Sequence, residues 1–98
     1  VVTVEQLLNG ERQEALAAFS LNEHCAMIEK IESEEICSAE FSDDHVENLA
    51  SYFISLPSEA AMKLWNVISQ GGVQENVVKF HRANDGAVGS HLSKILGA

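Results

Sequence analysis

The sequence predicts an all-α fold, a six-helix antiparallel bundle whose first helix is kinked or split. Its apolar residues recur three and four apart in segment after segment, no stretch alternates strictly between apolar and polar, and Gly or Pro punctuates the pattern at short intervals. At 98 residues the chain can bury one core but not a second, so residues 1 to 98 read as a single domain. The expected connections are only a few residues long, as in a compact bundle.

Thr3 and Gln6 open the first helix as a capping box, in which each side chain takes an N–H that the helix start leaves unbonded. Leu7, Leu8, Arg12, Ala15, Leu16 and Phe19 then trace one stripe, interrupted at Asn9-Gly10, where glycine disfavours a straight helix. Asn22 is the expected cap of the second helix, with a buried face of Cys25, Met27, Ile28 and Ile31 and a Glu-rich end before Ile36. Ser42 caps the third, where Asp43 and Asp44 meet the positive end of the macrodipole and Val46, Leu49, Ala50 and Phe53 follow at helical spacing. Leu56-Pro57-Ser58 breaks that helix and starts a fourth, with a core stripe of Ala61, Leu64, Trp65 and Ile68 up to the Gly71-Gly72 stop. Val73, Val77 and Phe80 mark a fifth, ended by Asn84-Asp85-Gly86, and Val88, Leu92, Ile95 and Leu96 a short sixth.

The charge is unevenly spread. The formal net charge is −9, yet residues 1 to 50 hold twelve Asp or Glu and two Lys or Arg, net −10, while residues 51 to 98 hold three acids and four bases, net +1. Residues 29 to 47 alone carry eight acids (Glu29, Glu32, Glu34, Glu35, Glu40, Asp43, Asp44, Glu47) against the single base Lys30. Such a single-sign field speaks about partners and association rates rather than fold, and it points to a basic protein surface. Six bases spread over the chain make no phosphate-tracking stripe, so nucleic acid is not an expected partner. No apolar run approaches the ~18 residues of a membrane span and no lipidation motif is present, so a membrane is not expected either and the expected compartment is the cytosol.

His24, Cys25, Cys37 and His45 supply four zinc-ligand types, but structural sites pair ligands two to four apart, and consecutive helical residues such as His24 and Cys25 point roughly 100° apart. Packed, reduced thiols and ordinary, partly exposed histidines are the expected reading, with no metal and no cofactor. A cysteine nucleophile needs a depressed pKa, whereas carboxylates around Cys25 and Cys37 favour the neutral thiol. Runs such as Glu34-Glu35 and Asp43-Asp44 read as a solvated face rather than an acid/base pair in a cleft, and Gly86-Ala87-Val88-Gly89 lacks the spacing of a phosphate loop. No catalytic residue is expected.

The whole pattern resembles a caspase recruitment domain, a branch of the death-fold superfamily, and is most like the domain at the start of apoptosome scaffold proteins. The likeness is carried by Leu7, Leu8, Arg12, Ala15 and Leu16 in the first helix and by Met27-Ile28-Glu29 through Ile31, then Ile36-Cys37-Ser38, around the second. Ser42 to Leu49, Ala60-Ala61-Met62 with Leu64, and Phe80 with Leu92, Ile95 and Leu96 are similar to its later helices. Trp65 and the long apolar connection from Ser51 to Ser58 depart from the family. The resemblance implies a non-enzymatic adaptor in apoptotic or innate-immune signalling. It would dock onto like domains by setting an acidic surface on helices two and three against a basic surface on helices one and four.

The acidic positions that match are Glu29, Glu34, Asp43 and Asp44, with Glu32, Glu35, Glu40 and Glu47 nearby; Arg12 and Lys63 are the only basic matches. The expected role is therefore the acidic partner of a basic relative, monomeric in isolation. A rival reading is a small acidic inhibitor, a toxin or nuclease antidote or a DNA mimic, whose carboxylates would occlude a basic active site.

Overall fold

The computed structural model describes residues 1–97. Among them the secondary structure is helical throughout: α1 (Val4–Leu8), α2 (Gln13–Ala17), α3 (Leu21–Ser33), a 3-10 turn (Ile36–Ser38), α4 (Asp43–Ser55), α5 (Ser58–Gly71) and α6 (Gln74–Ile95). None of the described helices is long and apolar enough to cross a membrane.

The expected first helix is split into α1 and α2. Thr3 Oγ1 accepts from Gln6 N–H (3.1 Å) and Gln6 Oε1 from Thr3 N–H (3.0 Å), which completes the capping box. Gly10 (φ +78°) and Arg12 (φ +57°) then turn the chain through the left-handed region, which glycine enters without a Cβ penalty. Asn48 of α4 fixes this break by donating Nδ2–H to Leu8 O (2.8 Å). Leu7, Leu8 and Leu16 are buried, but Arg12 is exposed at the break and takes no part in the stripe.

Helix α3 starts at Ser20 and not at Asn22. Ser20 Oγ accepts from Glu23 N–H (3.2 Å) while Glu23 Oε1 accepts from Ser20 N–H (2.8 Å), so the reciprocal Ser-x-x-Glu pair prevails over the single Asn side chain. Its buried face is His24, Met27, Ile28 and Ile31, with Cys25 only half-buried. A histidine thus occupies the i, i+3, i+4, i+7 stripe where a thiol was expected.

Ser42 Oγ accepts from His45 N–H (3.2 Å) as the α4 cap, and Pro57 sits at the start of α5. Within α6 the backbone leaves helical geometry at residues 83–86: Ala83 is extended, and Asn84, Asp85 and Gly86 are left-handed. Asn, Asp and Gly tolerate that region best, so the sequence turns a corner there and the element is two helical segments, as the fifth and sixth helices of the sequence reading. Leu96, expected in the core, is 59% exposed because it lies beyond the last turn.

Phe53, Phe80, Ile28, Ile31, Leu49, Leu64 and Ile68 form the fully buried centre. Helix α4 packs chiefly on α6 and α3 on α5, while α1 lies against α4 and α3. Phe53 and Phe80 meet edge to face at 5.2 Å, and the half-buried Trp65 stacks on Phe80 at 6.1 Å. Edge-on and offset aromatic pairs of this kind add to the area they bury.

Candidate functional site

The eight acids of residues 29 to 47 are all exposed, carried by the second half of α3, the connections on either side of the 3-10 turn and the first turns of α4. The fold brings two distant bases to them. Lys63 of α5 donates Nζ–H to Glu29 Oε2 at 2.9 Å. Lys79 of α6 reaches Glu40 Oε2 at 2.7 Å and lies 3.8 Å from Asp43 Oδ1. The hydrogen bonds to Glu29 and Glu40 hold the two lysines above the usual ammonium range.

Glu47 has a different task, accepting Asn84 N–H at 3.1 Å and so holding the corner of α6. Glu32, Glu34, Glu35 and Asp44 enter no ion pair among the described residues. Of the two bases assigned to the opposite surface, Lys63 is engaged by the acidic segment itself. Arg12 donates Nη1–H to Val1 O (3.3 Å) at the α1–α2 break.

The connection that carries Glu40 is anchored by a residue the sequence reading missed. Asn76 is fully buried on α6; its Oδ1 accepts Phe41 N–H (2.8 Å), and Nδ2 donates to Cys37 O (3.1 Å) and Ala39 O (2.8 Å). The amide supplies the partners that Phe41 N–H and Ala39 O lack in this non-helical connection. Its signal in the sequence was position: residues 76, 80 and 83 share one helical face, and an amide on an otherwise apolar stripe must find partners.

The four candidate zinc ligands go to separate places, and among the described residues no three His, Cys, Asp or Glu side chains come together as a metal site. His45 Nε2 bonds Asn9 Oδ1 (3.1 Å). Cys37 is buried, and burial pushes its thiol up. The neutral thiol is thus favoured by lost solvation, not by the carboxylates invoked from sequence.

His24 is not the partly exposed histidine expected from sequence: it is 7% exposed, sits between Phe19 and Tyr52, and its Nδ1 lies 2.8 Å from Tyr52 Oη. Burial lowers its pKa and raises that of Tyr52, so both are neutral at pH 7. This pair forms one wall of a cavity of about 490 Å³ bounded by α1, α2, α3 and α4.

Compared with family models, curated proteins and solved structures, the chain matches none.

Proposed function

We propose that the chain is a non-catalytic interaction domain that docks a basic protein surface through residues 29 to 47, the partner being a domain of the caspase-recruitment type. One observation carries the reading: eight exposed carboxylates share this stretch with only three ammonium groups, Lys30 from the segment and Lys63 and Lys79 brought by the fold. Such a field accelerates encounter with a cationic surface and makes it salt-sensitive, since the screening length falls from ~10 Å at 0.1 M to ~3 Å at 1 M salt. The backbone of the segment is held by Asn76, so docking orders little chain and forfeits little entropy.

Glu32, Glu34 and Asp44 are the contacts of choice, because none of them is in an ion pair among the described residues. Replacing all three by Arg leaves the three ion pairs intact and tests the reading directly. Association rates would be measured against immobilised caspase recruitment domains of positive net charge, with a basic ribonuclease beside them. The expected result is binding to a basic domain of this fold that weakens with salt and disappears in the triple variant. Unchanged binding in the variant, or binding to the ribonuclease with inhibition of its activity and to no such domain, overturns it; the ribonuclease result favours the inhibitor reading.

A further inference from the structure

We propose that the cavity between α1, α2, α3 and α4 is a binding site for an uncharged small molecule with an apolar body and a hydrogen-bonding group that meets His24. Its volume of about 490 Å³ falls within the ~300–1,000 Å³ typical of small-molecule pockets. Leu7 and Leu16 supply an apolar wall, and His24, Ser51, Tyr52 and Ser55 converge as a polar one.

The polar wall is organised rather than incidental. The Tyr52 hydroxyl and His24 Nδ1 share one hydrogen bond of 2.8 Å, and Phe19 and Tyr52 flank the imidazole at ring separations of 5.4 and 5.5 Å. The neutral imidazole has one proton, so Nε2 faces a ligand as a donor where Tyr52 O–H donates to Nδ1 and as an acceptor where Nδ1–H donates to Tyr52 Oη. A buried ring held in one orientation on one nitrogen, with the other left for an occupant, is what a polar anchor in an apolar pocket requires. Ser51 adds a hydroxyl whose oxygen accepts from Asn84 Nδ2 (3.3 Å) and whose proton is free to donate. Ser55 is already committed, donating to Tyr52 O (2.7 Å).

The charge of the ligand follows from the lining. Among the described residues every side chain around the cavity is apolar, amide, hydroxyl or the neutral His24, and no Asp, Glu, Lys or Arg lines it. A charged ligand would lose its hydration without gaining a counter-ion. The α2 side of the cavity is adaptable. Leu16 is the only buried residue of that five-residue helix, which follows directly on the left-handed Gly10 and Arg12. It can move to admit or enclose an occupant, as weakly anchored elements do.

The test is titration of the uniformly ¹⁵N-labelled chain with benzamide, phenol and cyclohexanone as neutral probes, and benzoate and benzylammonium as charged ones, read by amide and imidazole shifts. The expected result is a saturable response of Leu7, His24 and Ser51 to a neutral probe, about tenfold weaker for the charged ones. Ala17→Trp at the cavity rim fills the space without touching the buried centre, and should weaken the neutral probe by about tenfold while the helical CD spectrum is kept. His24→Gln, with folding checked the same way, should weaken it likewise. No saturable response to any neutral probe, equal binding of benzoate, or unaltered binding to folded Ala17→Trp overturns the proposal.

Discussion

Asn76→Ala should be among the most damaging single substitutions in the chain, although it removes no charge and little apolar surface. The wild-type amide makes three hydrogen bonds, to Phe41 N, Cys37 O and Ala39 O, from a site with no solvent exposure. The three losses are unequal. Cys37 O keeps the N–H of Val73 (3.1 Å), and Ala39 O lies where water can replace the amide, because its bond is only part-buried. Phe41 N–H, buried, keeps no partner, and an orphaned buried donor costs about 1–3 kcal/mol. Adding the vacated volume and the two weakened carbonyl bonds brings the expected loss to about 3 kcal/mol. At this chain length each kcal/mol shifts the melting temperature by about 4–8 °C, so the variant should melt roughly 12–24 °C lower.

Asn76→Asp sharpens the test: it keeps an acceptor for Phe41 N–H but sets a carboxylate against Cys37 O and Ala39 O. That charge repulsion raises the folded carboxyl's pKa above the ~3.9 of the unfolded chain, so this variant gains stability as pH falls and loses it as pH rises toward 7. Circular-dichroism melts at pH 7 and pH 5 measure both effects. A melting temperature for Asn76→Ala equal to wild type, or an Asp variant as stable as wild type at pH 7, would show that the amide is not the anchor.

Gly72→Ala should destabilise the fold by about 1–3 kcal/mol in urea titration, because the new Cβ would lie 2.9 Å from Ile68 O and 3.0 Å from Cys37 Cβ, and backbone cannot yield as a flexible side chain would. His24 gives a pH signature: its folded pKa is lowered by burial, so below ~6.5 the unfolded chain takes the proton first. Its contribution is intact above that pH and lost as pH falls through the folded pKa. Folded His24→Gln should therefore show a shallower loss of stability from pH 7 to pH 5 than wild type, and identical slopes would place the imidazole in solvent. At pH 7 and low salt the isolated chain should be monomeric by light scattering, since its net charge of −9 makes copies repel. Acid near pH ~4 or 1 M salt should promote any self-association, and a tight dimer in low salt at pH 7 would contradict this.

What could be read from the sequence was decided within one helical turn. The Thr3–Gln6 box, the Ser42 cap, the Pro57 start and the Asn84-Asp85-Gly86 corner all depend on neighbours a few residues away, and each stands where expected. What escaped depended on partners far along the chain. His24 is stabilised in the core by Tyr52, 28 residues on, and Asn76 by Phe41, 35 residues back; no local propensity reports either. The Asn22 cap failed for a different reason, since two capping residues compete within three positions and only Ser20 has a glutamate at the reciprocal place. The acidic stretch was legible as charge. Its pairing with Lys63 and Lys79 was not, because α5 and α6 are brought there by packing of the core.

These long-range contacts order the acids by availability. One face of α6 meets the acidic stretch at successive turns: Asn76 holds the backbone of residues 37 to 41, Lys79 the carboxylates of Glu40 and Asp43, and Asn84 that of Glu47. The first and last of these secure backbone, so a partner that displaced them would have to undo local structure. Lys63 secures only a side-chain position, whereas Lys79 also donates to Phe41 O (3.1 Å); on both exposed pairs an incoming Arg, with its planar bidentate fork, can take over the carboxylate from an ammonium point charge, and Lys79 can keep its carbonyl bond. A cationic surface would therefore meet Glu32, Glu34, Glu35 and Asp44 directly, Glu29, Glu40 and Asp43 by exchange with a lysine, and Glu47 only at the cost of the α6 corner.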